Sequence, residues 1–228
     1  MAILRRADSQ LAKLLTGHRC YGGLDLASRL DTAAFALCFP PDPLCDELPD
    51  WLRTRYAILC WHWLPEAAAT ERRDKVPYFT WQEQGWITLT DGNVCDYTTI
   101  EDQVVALREV YKIQEIGFDP WNAEGPTQNL ERRGLRRVEI GQSVSKLNHA
   151  SKELEKLIVS QQIVHDGNPL LDWQIGNCNV YTDTSGNIKP KRPEHGDYRT
   201  IDGVAAVVMA LDRALRAPKP AKGDLLIC

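Results

Sequence analysis

The stretch Cys20-Tyr21-Gly22-Gly23-Leu24-Asp25-Leu26, followed after a short break by Thr32-Ala33-Ala34-Phe35-Ala36-Leu37-Cys38-Phe39, decides the fold class. Both are short apolar runs, and the residues between them, around Ser28–Asp31, are turn formers. The pattern predicts a strand over Cys20–Leu26 and a second over Thr32–Phe39, joined by a tight turn. A third run, Tyr56–Leu64 (Tyr-Ala-Ile-Leu-Cys-Trp-His-Trp-Leu), follows a longer proline-rich link from Pro40 to Trp51. None of these connections is long enough to hold a crossover helix, so the three strands are expected to form an antiparallel meander.

Beyond the meander the periodicity changes. Pro65–Asp96 is ambiguous and suggests two short helices, near Ala67–Lys75 and Tyr78–Gln84. Thr99 precedes a helical stripe of Ile100, Val104, Leu107 and Val110, with Asp102 at the capping-box position. Ile113–Asp119 reads as a strand that ends at Asp119-Pro120, where proline halts regular structure. A helix over Gly125–Arg133, a strand over Arg136–Ile140 and a helix over Val144–Ser160 follow. Val180–Asp183 and Ile188–Lys191 form a hairpin across Ser185-Gly186-Asn187. The last helix, Ile201–Arg216, has a stripe of Ile201, Val204, Ala205, Val208, Leu211 and Leu215, with Thr200 as its N-cap. Three antiparallel strands and then alternating helices and strands give an α/β fold. It has a mixed sheet, antiparallel then parallel, flanked by helices on both faces. The first strand should be central.

Composition narrows the function. The 228 residues are 43% apolar and 25% charged, enough for a real core. With 27 Lys+Arg against 31 Asp+Glu the formal charge is -4, which excludes a uniformly basic nucleic-acid coat but not a local basic patch. No apolar run approaches the roughly 20 residues that span a bilayer. Arg5 and Arg6 are followed by Asp8, Ser9 and Gln10 rather than an apolar segment, so the start is not a secretory signal. The seven cysteines form no C-x-x-C pair, which reads as reduced thiols and argues against zinc. Residues 1–18 read as a short N-terminal helix or linker remnant, residues 19–216 as one domain, and residues 217–228, with Pro218, Pro220 and two lysines, as a flexible C-terminal tail.

Three aspartates stand out by position. Asp25 lies near the end of the first strand, Asp119 ends a later strand, and Asp202 opens the last helix. If the first strand is central and the later strand is its neighbour, their carboxyl ends bring Asp25 and Asp119 together, and Asp202 approaches from the final helix. Acidic groups held close repel one another unless a cation neutralises them. Three hard oxygen donors suit Mg²⁺ or Mn²⁺. Two such ions about 4 Å apart can activate water and stabilise the leaving oxygen of a phosphodiester. Against this stands the plain alternative that, among 31 acidic residues, Asp119 is a turn residue and Asp202 a helix-start charge.

Six blocks, in order, carry a wider resemblance. They are Gly22–Ala27 with Asp31–Ala34, Trp61-His62-Trp63-Leu64-Pro65-Glu66, Gly117-Phe118-Asp119-Pro120-Trp121-Asn122-Ala123, His165-Asp166-Gly167-Asn168-Pro169, Gly186-Asn187-Ile188-Lys189-Pro190-Lys191, and Arg199-Thr200-Ile201-Asp202-Gly203-Val204-Ala205-Ala206. Together they resemble the nuclease domain of phage terminase large subunits, in the HK97-type branch, over roughly residues 19–216. The resemblance implies an RNase H-like fold and a metal-dependent endonuclease that cuts concatemeric double-stranded DNA during head packaging. It implies that Asp25, Asp119 and Asp202 ligate two divalent cations, Mg²⁺ or Mn²⁺, one to orient the attacking hydroxide and one to stabilise the 3′-oxygen leaving group. It also implies a terminase ATPase domain, a small terminase subunit and a portal as partners, in the cytoplasm of a bacterial host. No G-x-x-x-x-G-K-[ST] loop occurs in the sequence, so ATP hydrolysis is not expected of it, and it reads as an excised nuclease domain or a truncated prophage product. A catalytically silent fragment that docks on DNA, portal or small subunit is the alternative. Actin-like ATPases share the strand order but need a second glycine-rich phosphate loop, which is missing from the sequence, and the block order argues against a junction resolvase or transposase.

Secondary features follow. Lys189, Lys191 and Arg192 sit on the hairpin before the third acid and are expected to contact DNA phosphates. Arg132, Arg133, Arg136 and Arg137 read as a solvated charged face. His165 reads either as a general base or metal ligand or, since a two-metal site needs no histidine, as a structural hydrogen-bonding residue before Asn168-Pro169; Asp31 is expected to brace the first turn, Asp183 to be a hairpin turn residue, and Asp197 to be at most an outer ligand. Most of the seven tryptophans are expected in the core.

Overall fold

The computed structural model describes residues 9–26, 31–194 and 198–218. The elements run α1 (Gln10–Leu14), β1 (Arg19–Asp25), β2 (Ala33–Phe39), α2 (Asp50–Arg53), β3 (Tyr56–Pro65), α3 (Glu66–Glu71), α4 (Tyr78–Glu83), β4 (Thr88–Thr90), α5 (Tyr97–Val110), β5 (Lys112–Phe118) and α6 (Pro120–Arg132). They continue with β6 (Arg137–Glu139), α7 (Val144–Val159), β7 (Ile163–His165), α8 (Pro169–Asn177), β8 (Asn179–Thr182), β9 (Ile188–Lys191) and α9 (Asp202–Leu215). The start of the expected N-terminal helix, turn residues 28–30, Asp197 and the end of the tail lie outside the described residues.

The main sheet has the order β4-β3-β2-β1-β5-β6. β1 pairs antiparallel with β2, β2 antiparallel with β3, and β1 parallel with β5, so the first strand is central as expected. β3 is long enough to share its outer edge: β7 pairs parallel with Tyr56–Ile58 and β4 parallel with Trp63–Pro65. β8 and β9 form a separate antiparallel hairpin.

Side-chain alternation on β2 explains the two layers. Phe35, Leu37 and Phe39 point to a core shared with α1, α5 and α6, whereas Ala34, Ala36 and Cys38 point to a core shared with α7, α8 and α9. Small residues on the second face let α9 come close. A Cβ on Gly23 would lie 2.0 Å from the Ala206 carbonyl oxygen and 2.5 Å from the Ala210 nitrogen, so only glycine permits this backbone approach of α9 to β1. α9 is therefore buried on nearly every side, including Val207, Met209, Ala210 and Ala214, and the expected single stripe understates it. A third cluster, Leu64, Ala68, Ala69, Tyr78, Trp81 and Leu170, closes the β4 edge.

Several boundaries differ from the sequence expectation, each for a local reason. α5 is capped by Asp96, whose carboxylate accepts from the Thr98 N–H at 2.9 Å and from the Thr99 hydroxyl at 2.8 Å; Asp102 instead pairs with Arg133 at 2.7 Å. Pro120 does not end regular structure. It sits in the first turn of α6, where a missing N–H costs nothing, so the helix begins five residues before Gly125. Thr200 is not the N-cap of α9; Ile201 holds that position without a side-chain cap. α2, β4, β7 and α8 have no counterpart in the expected element order.

Candidate active site

Each acid stands at the end of an element that the sheet order brings to one place. β1 ends at Asp25 and its parallel neighbour β5 ends one residue before Asp119, with Leu24 opposite Phe118 in the register. Parallel pairing puts both carboxyl ends on the same edge, the usual position of ligand sites in such sheets. Asp202 is the first residue of α9, which lies across β1 and β2.

The electrostatics report the proximity. The Asp25 carboxyl is held well above the ordinary carboxylate range by burial first, and then by the negative charges of Asp202, Asp119 and Asp31. The Asp202 carboxyl is pushed up to about 6 by burial; a hydrogen bond from Thr32 opposes this and the Asp31 charge adds to it. Only one oxygen of Asp119 is committed to the protein backbone: Oδ1 accepts from the Trp121 N–H at 3.1 Å. Among the described residues, the acids do not draw in to a mutual donor spacing of 4.8 Å; the one group that does is His18, Cys45 and Glu47, at the opposite end of β1. That trio was invisible to sequence spacing, because His18 and Cys45 come from different segments.

Asp31 does more than brace a turn. It accepts from Arg192 Nη1 at 2.7 Å and Nη2 at 3.0 Å and from Arg72 Nη2 at 3.3 Å. Burial raises its pKa, but the Arg192 and Arg72 contacts outweigh this and leave it below the usual range. Arg192 also donates from Nε to the Arg199 carbonyl at 3.1 Å. Of the three hairpin cations, Lys189 donates to the Gln142 carbonyl at 2.9 Å, Arg192 is engaged as above, and Lys191 is exposed. The hairpin is further tied to α7 by the Ile188 N–H on Asn148 Oδ1 at 2.9 Å.

The remaining candidates have structural partners. Arg133 pairs with Asp102, Arg137 with Glu124 and Glu131, and Arg136 with Glu115. His165 Nδ1 accepts from the Gly167 N–H at 3.2 Å and Nε2 lies 3.2 Å from Asp172. Asp183 accepts from the Ser185 and Asn187 N–H groups inside the hairpin turn. Trp61, Trp63 and Trp81 are buried, but Trp121, two residues from Asp119, is 90% exposed.

Residues missed by sequence reasoning lie behind Asp202. Thr32 donates to Asp202 Oδ2, and Gln174, Thr200 and His62 extend the contact inward. The available signals were polar residues inside apolar runs: Thr32 opening a strand, and His62 between two tryptophans. A separate cavity of about 470 Å³ lies between α7, α8, α9 and the hairpin, but its aliphatic walls, among them Leu154, Ile163, Leu171 and Val207, do not suit a phosphodiester.

The comparisons with known proteins bear on this arrangement. Residues 11–217 match the family model described as the terminase large subunit, endonuclease domain. The chain belongs to this family. It is 31% identical over 208 residues to Protein YmfN of Escherichia coli strain K12, a match that covers 87% of this chain and 44% of that protein. The large terminase of bacteriophage HK97 superimposes with a TM-score of 0.73 at 24% identity, covering 90% of this chain and 43% of that one. The large terminase nuclease of thermophilic phage G20c with bound magnesium superimposes with a TM-score of 0.53 at 15% identity, covering 86% and 82%. The fold is thus the RNase H-like one of terminase nucleases, and the chain spans less than half the length of YmfN and of the HK97 terminase. No described helix is long and apolar enough to cross a membrane.

Proposed function

We propose that this chain is a divalent-cation-dependent endonuclease that hydrolyses phosphodiester bonds of concatemeric double-stranded phage DNA during genome packaging. One observation carries the reading. Asp25 and Asp119 stand at the carboxyl ends of adjacent parallel strands and Asp202 opens the helix packed on β1, and the Asp25 carboxyl, raised first by burial, is raised further by the negative charges of Asp202, Asp119 and Asp31. Such an arrangement is unfavourable for the fold alone and favourable for a site that takes up Mg²⁺ or Mn²⁺. Hard oxygen donors suit such cations, and a pair of them about 4 Å apart is the arrangement that serves phosphodiester hydrolysis. Bound there, divalent cations would supply Lewis-acid stabilisation of charge at the scissile phosphate.

The chain's own groups do the rest. Asp25, Asp119 and Asp202 hold the charge in place. The exposed Lys191, with Lys189 and Arg192 beside it, gives phosphate contacts that align the duplex. Trp121 projects beside Asp119 and offers an aromatic face to the DNA. The sequence holds no ATP-binding loop, so translocation is assigned to a terminase ATPase segment, with the small subunit and portal as further partners, in the bacterial host cytoplasm.

The test is incubation of the purified chain with supercoiled plasmid and Mg²⁺ or Mn²⁺, beside Asp25→Asn, Asp119→Asn and Asp202→Asn. Metal-dependent nicking and linearisation, lost in each variant, is the expected result. If wild type and variants leave the plasmid equally intact, catalysis by this chain is refuted and a docking module becomes the better reading.

A further inference from the structure

We infer that Thr32 and Gln174 are positioning residues for Asp202, forming a buried, one-directional hydrogen-bond relay that sets the Asp202 carboxylate before a divalent cation binds. The inference rests on the reading of Asp202 as a metal ligand.

The direction of the relay follows from donor and acceptor inventory. The Gly203 backbone N–H can only donate, and it reaches Gln174 Oε1 at 2.8 Å. That fixes which end of the Gln174 amide is oxygen. His62 Nε2, 3.1 Å from the same oxygen, must therefore be the protonated ring nitrogen. The Gln174 NH₂ group then points at two hydroxyls and donates to Thr32 Oγ1 at 3.2 Å and Thr200 Oγ1 at 2.9 Å. Thr32 has a single proton of its own, and it goes to Asp202 Oδ2. The 3.1 Å contact between the two hydroxyls is then served by the Thr200 proton.

Water cannot substitute for any of these partners. Thr32, Gln174 and Thr200 are 0% exposed and His62 is 2% exposed. A second observation points the same way. A Cβ on Gly203 would lie 2.3 Å from Gln174 Oε1 and 2.6 Å from His62 Nε2, so the residue that follows the third acid must be glycine for the relay to reach it.

A carboxylate facing other carboxylates tends to turn away from them. A donor anchored three side chains deep holds it in place, as outer partners do for metal ligands generally, where their loss costs about 10–100-fold in affinity or activity.

Mn²⁺ titration of the purified chain by calorimetry and by the free-Mn²⁺ electron-spin signal tests this, with melting temperatures recorded alongside. Thr32→Val and Gln174→Met should each weaken Mn²⁺ binding about tenfold or more, and Thr32→Ser, which restores a hydroxyl, should recover most of it. A role in stability alone would lower the melting point without this split between Val and Ser. Should Thr32→Val fail to fold, the Gln174→Met and Thr32→Ser pair decides. Wild-type affinity in folded Thr32→Val or Gln174→Met overturns the relay. Asp202→Asn separates the two readings: if it abolishes Mn²⁺ binding while the relay variants leave it intact, the site stands and the relay falls. If wild type takes up no Mn²⁺, the site reading fails and the relay falls with it.

Discussion

Asp119 accepts the Trp121 backbone N–H on Oδ1 at 3.1 Å, so the acid that follows β5 is also the N-cap of α6. The two roles separate by substitution. Asparagine caps a helix about as well as aspartate, whereas alanine loses about 1 kcal/mol. Asp119→Asn and Asp119→Ala should both lose metal-dependent plasmid cleavage, but only Asp119→Ala should shift the urea midpoint. Equal midpoints for the two would show that the cap contributes nothing.

Trp121 is 90% exposed at the start of α6, so Trp121→Ala should change stability by no more than about 0.5 kcal/mol. If the ring meets DNA, affinity for a duplex should drop by about 1–3 kcal/mol while Mn²⁺ binding stays unchanged. Fluorescence-anisotropy titration with and without Mn²⁺ checks this, and unchanged affinity removes Trp121 from the DNA surface.

The raised carboxyls predict a sign for the pH dependence. The Asp202 pKa rises from 3.8 to about 6, so the folded state takes up a proton in that window and, in chelator, this group's contribution to stability falls as pH rises through it. Asp202→Asn removes the deficit. In EDTA at neutral pH its melting temperature should exceed that of wild type, by about 2–4 °C per kcal/mol gained. Adding Mn²⁺ should reverse the order. A wild type that melts higher than Asp202→Asn in EDTA would falsify the account in which burial, with the Asp31 charge beside it, disfavours the Asp202 carboxylate.

Gly23→Ala should be among the most damaging single methyl additions to the chain. The clash is with the backbone of α9 at Ala206 and Ala210, which no rotamer change relieves. Overpacking typically costs about 1–3 kcal/mol, and a rigid helix puts this site at the upper end. Urea unfolding measures the loss, and a change below about 1 kcal/mol would mean that α9 slides freely over β1.

The hairpin cations should behave unequally. Lys191 is exposed, whereas Lys189 is already spent on the Gln142 carbonyl. Lys191→Ala should reduce the salt slope of duplex binding by about 1, and Lys189→Ala by less. Equal slopes for the two would show that Lys189 leaves Gln142 when DNA arrives.

How much of this was legible in the sequence depends on the length and regularity of each signal. The meander could be read because Cys20–Leu26, Thr32–Phe39 and Tyr56–Leu64 are unbroken apolar runs with short connections. Asp25, Asp119 and Asp202 could be singled out because each ends or begins an element. β4 and β7 are three residues each, too short to show a period, and exist because the edge of the long β3 needs partners. The start of α6 is not legible because Pro120 reads as a terminator in sequence, although proline is equally at home in a first turn. Thr200 had the chemistry of a cap, yet its hydroxyl turns inward to Gln174. The polar relay was out of reach because Thr32, Gln174 and Thr200 meet only once β2, α8 and α9 are assembled.

That order of assembly has a consequence for a growing polypeptide. β1 leaves the ribosome early and α9 late, and Gly23 seats one against the other only after the segments between them have emerged. A nascent or partly degraded chain that lacks α9 carries two acids on an open sheet edge without the third. The three acids can therefore meet only after translation has passed the last helix.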